Sequence, residues 1–418
     1  MWYNTVMKRI ILIFAALLVS FLLAVCGSYS DFSGGSSDGG APYSPSYSPD
    51  GETSEGQNRP RPKPGQLTSG EWSDIKNYEF YLNLFNITND PDIEESQRRN
   101  GYSQFINHFG FETRYMLTLN VVHDELPVSD AEVELYDSTQ TILFSAKTDI
   151  HGNAYLFPSY DLSGENITVK VKSGNYESTQ SLVYAQDNLQ ITLDNKAATQ
   201  SVLDLMFVID TTGSMGDELR YLKEEISDVI GKISSNNPNY AINLALLFYR
   251  DTSDEYVTRY FDFTTNIEQQ RQNLSRQSAN GGGDFPEAVD KALSEAVEKN
   301  WSADYATRLI FHVCDAPPHD KQENKTLFYN SVKTAAQKGI RIIPVASSGI
   351  DLATEYLLRQ EALMTGGTYI FLTDDSGIGN EHLQPTVGEY TVEYLNACMV
   401  RVVNEYLSGV EEEPVPYY

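Results

Sequence analysis

Two hydrophobic periodicities follow one another along the chain. From Tyr115, apolar and polar residues alternate: Leu117, Leu119 and Val121 with Met116, Thr118 and Asn120; Val133 and Leu135 with Glu132, Glu134 and Tyr136; Ile167, Val169 and Val171 with Thr168, Lys170 and Lys172. A period of two places one face of each strand in water, and short strands separated by turn residues predict an antiparallel sandwich over residues 113–196. Its clearest turn is Thr148-Asp149-Ile150-His151-Gly152-Asn153-Ala154, read as a hairpin in which Gly152 supplies a positive φ. After Lys196 the pattern changes to apolar runs, Leu205–Ile209, Ile242–Tyr249, Leu309–Cys314, Ile340–Ala346 and Tyr369–Leu372, alternating with helical segments. Runs with no wet face belong to a mostly parallel sheet covered on both sides. Between the first two, Leu219, Leu222, Ile226, Val229, Ile230 and Ile233 form one helical stripe. The expected fold class over residues 197–408 is therefore α/β, with ligands bound at the carboxyl ends of the strands.

The N-terminal part reads differently. Lys8 and Arg9 are the only charges before residue 31, and Ile10–Val25 is apolar apart from Ser20. That length suits a signal-peptide core better than a membrane span. The tail Leu23-Ala24-Val25-Cys26 resembles a bacterial lipobox, which implies removal of residues 1–25 and acylation of Cys26. Residues 26–70 are dominated by Ser, Gly, Pro, Tyr and Asp with almost no aliphatic side chains, so a disordered tether is expected there. Residues 71–112 hold Trp72, Tyr78, Phe80, Tyr81, Phe85, Phe105, Phe109 and Phe111, which reads as a short helical segment packing aromatic faces on a neighbour. Residues 409–418 are read as a C-terminal tail. The strand spacing of the sandwich and its Thr-Asp-x-x-Gly turn resemble the carboxypeptidase regulatory-like, transthyretin-type β-sandwich. Modules of that kind serve as spacers or platforms.

Charge narrows the partners. Across 418 residues, 58 Asp and Glu face 30 Lys and Arg, a net charge of −28. Such a field repels phosphate backbones, so nucleic acid is not an expected partner, while carboxylates remain available for hard divalent cations. Three cysteines cannot staple a chain this long. Cys314 and Cys398 are read as buried thiols, with a bridge between them left open.

Oxygen donors gather where the α/β pattern places its ligand site. One strand ends in Asp210-Thr211-Thr212-Gly213-Ser214-Met215, and another in Cys314-Asp315-Ala316-Pro317-Pro318-His319. The loop Gly281-Gly282-Gly283-Asp284-Phe285-Pro286-Glu287 precedes a helix at 286–298. Asp210, Thr212 and Ser214 at spacing two can turn a carboxylate and two hydroxyls into one hollow, if Gly213 lets the loop curl. Asp-x-Thr-x-Ser after a hydrophobic strand resembles the metal-ion-dependent adhesion site of von Willebrand factor type A domains. Gly-Gly-Gly-Asp-x-Pro-Glu and Asp-Ala-Pro-Pro-His resemble the A domains of hemicentin-like and alpha-kinase-associated proteins. The resemblance covers residues 200–408 and implies a Rossmann-like doubly wound sheet with a Mg2+, Ca2+ or Mn2+ site. Carried over by position, Asp210, Thr212, Ser214, Asp284 and Asp315 are the expected ligands, with Asp284 where the family usually has a threonine. Three carboxylates against a divalent ion would leave the site net negative, a clasp for the cation more than a dock for an acidic ligand. Asp251 and His319 are expected to be a solvated turn carboxylate and an unengaged loop histidine.

No HExxH, Walker loop, Gly-x-Ser-x-Gly elbow or Cys-x-x-Cys pair is present. The expected function is non-enzymatic: a lipid-anchored protein of the cell envelope, facing the periplasm or exterior, whose metal site recognises a protein or cell-surface polymer. Two alternatives stay open, a structural component of an envelope complex and a metal-dependent hydrolase.

Overall fold

The computed structural model describes residues 61–86, 101–185, 189–194, 201–303 and 305–417. The expected signal segment, Cys26 and the tether up to residue 60 lie outside the described residues. The described residues form one compact unit.

That unit begins earlier in the chain than the composition suggests. β1 (Thr68–Trp72) has Thr68 and Ser69 fully buried, and Leu67 just before it is buried as well. α1 (Tyr78–Asn83) and α2 (Ser103–Phe109) follow; Tyr78, Tyr81, Phe105 and Phe109 pack inward as expected, while Phe80 is exposed. The sandwich then runs through β2 (Leu117–His123), β3 (Leu126–Pro127), β4 (Glu132–Tyr136), β5 (Ile142–Lys147), β6 (Asn153–Leu156), β7 (Asn166–Ser173), β8 (Tyr176–Val183) and β9 (Leu189–Thr192). One sheet has the order β3-β2-β6 with β9 also on β2, and the other β5-β4-β7-β8. The period-two residues Leu117, Leu119, Val121, Val133, Leu135, Ile167, Val169 and Val171 are all buried between them. All these pairings are antiparallel except β2–β9, which is parallel. The turn at 148–152 forms, with Gly152 at φ 76°, and a Cβ there would lie 2.4 Å from the Val121 carbonyl oxygen. It is not a hairpin, however: β5 pairs with β4 and β6 with β2, so the turn carries the chain from one sheet to the other.

The α/β part continues through β10 (Val202–Asp210), α3 (Gly216–Asn236), β11 (Ala241–Tyr249), β12 (Thr258–Thr264), α4 (Ile267–Ser275), α5 (Val289–Val297), β13 (Ala306–Cys314), α6 (Gln322–Lys338), β14 (Ile340–Ala346), α7 (Leu352–Thr365), β15 (Tyr369–Leu372), β16 (Glu393–Tyr394) and α8 (Leu395–Ser408). All five apolar runs are strands of one eight-stranded sheet, in the order β12-β11-β10-β13-β14-β15-β1-β16. β11, β10, β13, β14 and β15 are mutually parallel, and β12 and β1 are antiparallel additions. Every residue of β13 and β14 is buried, as strands covered on both faces require. The α3 stripe packs with Phe207, Ile209, Phe248 and Phe311 on one face, while Met206, Val208, Leu247 and Ile310 meet α5, α6 and α7 on the other. The chain leaves β10 for β11 on one side and returns to β13 on the other, which opens a crevice at the carboxyl ends.

One expected boundary needs correction. The tether does not extend to residue 70, because β1 is a strand of the main sheet. Glu225, buried on α3, accepts hydrogen bonds from the backbone N–H groups of Gly65 (2.8 Å), Gln66 (2.7 Å) and Leu67 (3.0 Å). The sandwich precedes the α/β part from β10 onward, as expected, and follows β1, which belongs to the main sheet. It is also fixed in place: Asp130 makes a two-pronged pair with Arg308 at 2.8 and 3.1 Å, both side chains buried. Cys314 and Cys398 are buried free thiols, as expected, packed on opposite faces of the sheet, and no bridge joins them.

Removing the Glu225 carboxylate leaves three backbone donors without their acceptor. Glu225→Ala is expected to destabilise the fold by about 1–3 kcal/mol in urea unfolding, while the exposed neighbour Glu224→Ala changes it by less than about 0.5 kcal/mol.

Candidate metal centre

β10 and β13 lie side by side, with Ile209 level with Val313, so their ends present Asp210 and Asp315 together at the crevice. After Asp210 the chain makes a tight turn. The Asp210 Oδ1 accepts from the Thr212 N–H at 2.8 Å and the Thr212 hydroxyl at 2.7 Å, and the Thr212 and Ser214 hydroxyls stand 3.1 Å apart. Gly213 serves this turn by leaving room rather than by its φ: a Cβ there would sit 2.9 Å from the Gly281 carbonyl oxygen. A short 3-10 turn, Gly213–Met215, leads directly into α3. The second loop is tied to the first by Asn280 N–H on the Thr211 carbonyl (3.0 Å) and by Arg250, which donates to the carbonyls of Thr211 and Ser278. Asp254 holds the bend of that loop by accepting from Gly282 N–H at 2.8 Å, with Gly281 and Gly282 at positive φ.

Four of the five expected ligands converge. Asp210, Thr212 and Ser214 share the hydrogen bonds above, and the Ser214 hydroxyl supports Asp315. Asp284 does not join them: it is exposed on the outer part of its loop, next to the exposed Phe285. The residue that turns inward is Glu287, because its own N–H bonds to the Pro317 carbonyl and it bridges to Pro318, which pins it against the Asp315 loop. No group of three or more His, Cys, Asp or Glu side chains among the described residues is arranged to hold a metal ion, so the three-carboxylate clasp is not formed. What remains is two carboxylates and two hydroxyls. Periodicity carries no signal for Glu287; only its place in the loop after Pro286 does.

Burial governs the electrostatics. Asp210 is fully buried and Asp315 nearly so, and Asp210 Oδ2, Asp315 Oδ1 and Glu287 Oε2 are all buried without a hydrogen-bond partner. Burial pushes the Asp210 carboxyl up to about 6, even though the bonds from Thr212 pull it down. Burial, and then repulsion from Asp210, raises Asp315 well above the usual carboxylate range. Burial and the neighbouring Asp210, Asp251, Asp315 and Asp254 push Glu287 up to about 10. Orphaned hard oxygens, destabilised as anions and lacking a countercharge, are the donor chemistry that magnesium accepts. The residues present therefore fit a divalent cation. Asp251 and His319 also differ from expectation: Asp251 is buried, and its Oδ1 lies 2.6 Å from His319 Nε2. This pair links the end of β11 to the Asp315 loop.

Residues 204–373 match the family model of the von Willebrand factor A domain. Two relatives contain a similar stretch. An ariadne-like RING finger protein of Acanthamoeba polyphaga mimivirus is 28% identical over 233 residues, covering 51% of this chain and 22% of its own length. An alpha-protein kinase of Dictyostelium discoideum is 26% identical over 191 residues, covering 45% of this chain and 30% of its own. The chain thus spans less than a third of either relative. Among solved structures, the conserved hypothetical protein BatB of Bacteroides thetaiotaomicron aligns at 12% identity with a TM-score of 0.36, over 49% of this chain and 98% of BatB. The matched segment runs from β10 to just past β15, so it includes all three site loops but neither β1 nor the sandwich.

The raised carboxyl groups give the site a defined pH response. Without a cation, the folded protein keeps protons on Asp210 and Glu287 that the unfolded chain releases near pH 3.8 and 4.5. Stability should therefore fall as pH rises from about 4 to 6, and further toward about 10 as Glu287 ionises. Saturating magnesium should flatten this decline. Urea unfolding at pH 4 to 8, in EDTA or in magnesium, checks it, and superimposable rising curves would contradict it.

Proposed function

We propose that the chain is a binding protein whose A domain engages a protein or polymer ligand through a divalent cation held by Asp210, Thr212, Ser214 and Asp315. The observation that carries this reading is the pair of buried, partnerless oxygens, Asp210 Oδ2 and Asp315 Oδ1, at the ends of adjacent strands. Bound there, the cation supplies an electrophilic centre for a partner's oxygen. Thr212 and Ser214 orient the first loop, and Glu287, neutral while its neighbours are charged, limits the negative charge of the hollow. Von Willebrand factor A domains commonly mediate protein–protein interactions, which supports a binding over a catalytic role. Asp284 and Phe285, exposed on the rim, are the residues a partner would meet beside the cation.

The proposal places this head outside the cytoplasm, lipid-anchored at Cys26 and held off the membrane by the Ser, Gly and Pro-rich segment, with the docked sandwich as its platform. An assembly component would instead stay with its partners at fixed stoichiometry after chelation.

A pull-down from envelope extract separates the readings. Magnesium should promote ligand association, and EDTA should remove it. Asp210→Ala should reduce capture at least tenfold while circular dichroism shows the fold intact. Capture that survives both EDTA and Asp210→Ala would overturn the cation-dependent reading.

A further inference from the structure

Beneath the cation site a file of polar side chains crosses the core, apart from the buried Arg359–Asp74 pair that α7 makes elsewhere on the same face. The face of the sheet that carries Met206, Val208, Leu247 and Ile310 also carries Tyr249 and His312, and α7 sets Glu361 over them. Tyr249, His312 and Glu361 are all completely buried. His312 Nδ1 lies 2.8 Å from Glu361 Oε2 and 3.1 Å from Oε1, while its Nε2 lies 3.4 Å from the Tyr249 hydroxyl. Tyr249 stands directly across from Asp210 in the β10–β11 register. The file therefore runs from a helix on one face of the sheet to the carboxylate at the crevice.

A buried ion pair of this kind is a poor choice for stability, because well-packed apolar side chains of similar volume do as well or better. Its presence under one carboxylate of the site calls for another role. We propose that Tyr249, His312 and Glu361 are positioning residues that orient the Asp210 carboxylate for cation binding. The assignment rests on the cation-site reading above.

The donors can be placed along the file. Burial alone would push the His312 imidazole down, but the Glu361 charge outweighs it and holds the ring protonated well above its ordinary range. With both ring nitrogens carrying protons, Nδ1–H donates to Glu361 and Nε2–H faces the Tyr249 oxygen at 3.4 Å, with the Cys314 thiol as a further partner of the ring. The phenolic O–H is then left to face Asp210 without closing a hydrogen bond on Oδ2, which stays open to a cation, and Tyr249 is among the groups that favour the charged form of that carboxyl. Neighbouring groups that orient a ligating side chain typically change metal affinity by about 10–100-fold when removed. Nothing in the Asp-x-Thr-x-Ser loop itself supplies this support, because the Thr212 bonds both fall on Oδ1 and leave the second oxygen free.

The test is a magnesium titration by calorimetry on the full chain, with thermal unfolding of the cation-free protein measured alongside. Tyr249→Phe should weaken magnesium affinity about tenfold, while its cation-free Tm falls because the buried His312 Nε2–H loses its acceptor. The double variant H312L/E361L should weaken affinity by a similar factor while its cation-free Tm stays the same or rises. Opposite signs for affinity and stability are what a merely structural pair would not produce. Ile310→Val, an apolar trim on the same face, should lower the Tm and leave affinity unchanged. If the double variant does not fold, Tyr249→Phe decides alone. Wild-type affinity in Tyr249→Phe overturns the assignment while leaving the cation site standing. Failure of the wild type to bind magnesium overturns both.

Discussion

Two carboxylates forced into a dry crevice with one oxygen each unpartnered set the terms for this molecule. Asp210 and Asp315 end neighbouring parallel strands, so their backbones cannot separate without breaking the centre of the sheet. Their burial raises both carboxyl groups, and the mutual repulsion adds to Asp315. A folded chain can tolerate such a site when a countercharge completes it or when protons neutralise it. The surrounding loops hold this arrangement in place. Arg250, Asp254 and Asn280 tie the two loops together through backbone groups, and Pro317 and Pro318 fix Glu287 against the third.

The scaffold around the crevice is assembled from distant parts of the chain. β1 closes one side of the sheet before the sandwich begins, and three consecutive N–H groups beside it are satisfied by Glu225. The sandwich returns the chain to β10 and is held by Asp130 against Arg308 on β13, the strand that carries Asp315 at its other end. Arg341 on β14 extends this junction by donating to the Lys147 carbonyl of the sandwich. Because these contacts are buried and charge-assisted, the sandwich is a fixed support for the site-bearing sheet rather than a loosely hinged spacer.

Charge around the crevice is distributed unevenly, which bears on what can approach it. The three-carboxylate site expected from the Gly-Gly-Gly-Asp motif is replaced by two carboxylates, with Glu287 kept protonated beside them and Asp284 turned to solvent. The net charge of the hollow at neutral pH is lower than the count of acids in its loops implies. Asp251 adds a further carboxylate behind Glu287, but its short bond to His319 gives it a partner. The acidity of the chain is thus mostly a property of its surface, and the hollow itself is closer to balance.

Local patterning by itself determined the five central strands, the α3 stripe, the alternating strands of the sandwich and the Asp-x-Thr-x-Ser loop. Each is set by side chains close in sequence, whose apolar spacing leaves one conformation that hides them from water. The same local logic assigned Thr68–Trp72 to a tether, because a short polar strand gains nothing until a neighbouring strand and Glu225 accept its backbone groups. It also placed Asp284 in the site, since position in a motif does not reveal which side chain a loop turns inward. Tertiary structure decided those points, and it alone brought His312 and Glu361, forty-nine residues apart, into one file behind Asp210. A buried carboxylate or imidazole is stable only with a partner, and such partners come from distant segments that no periodicity in the chain connects.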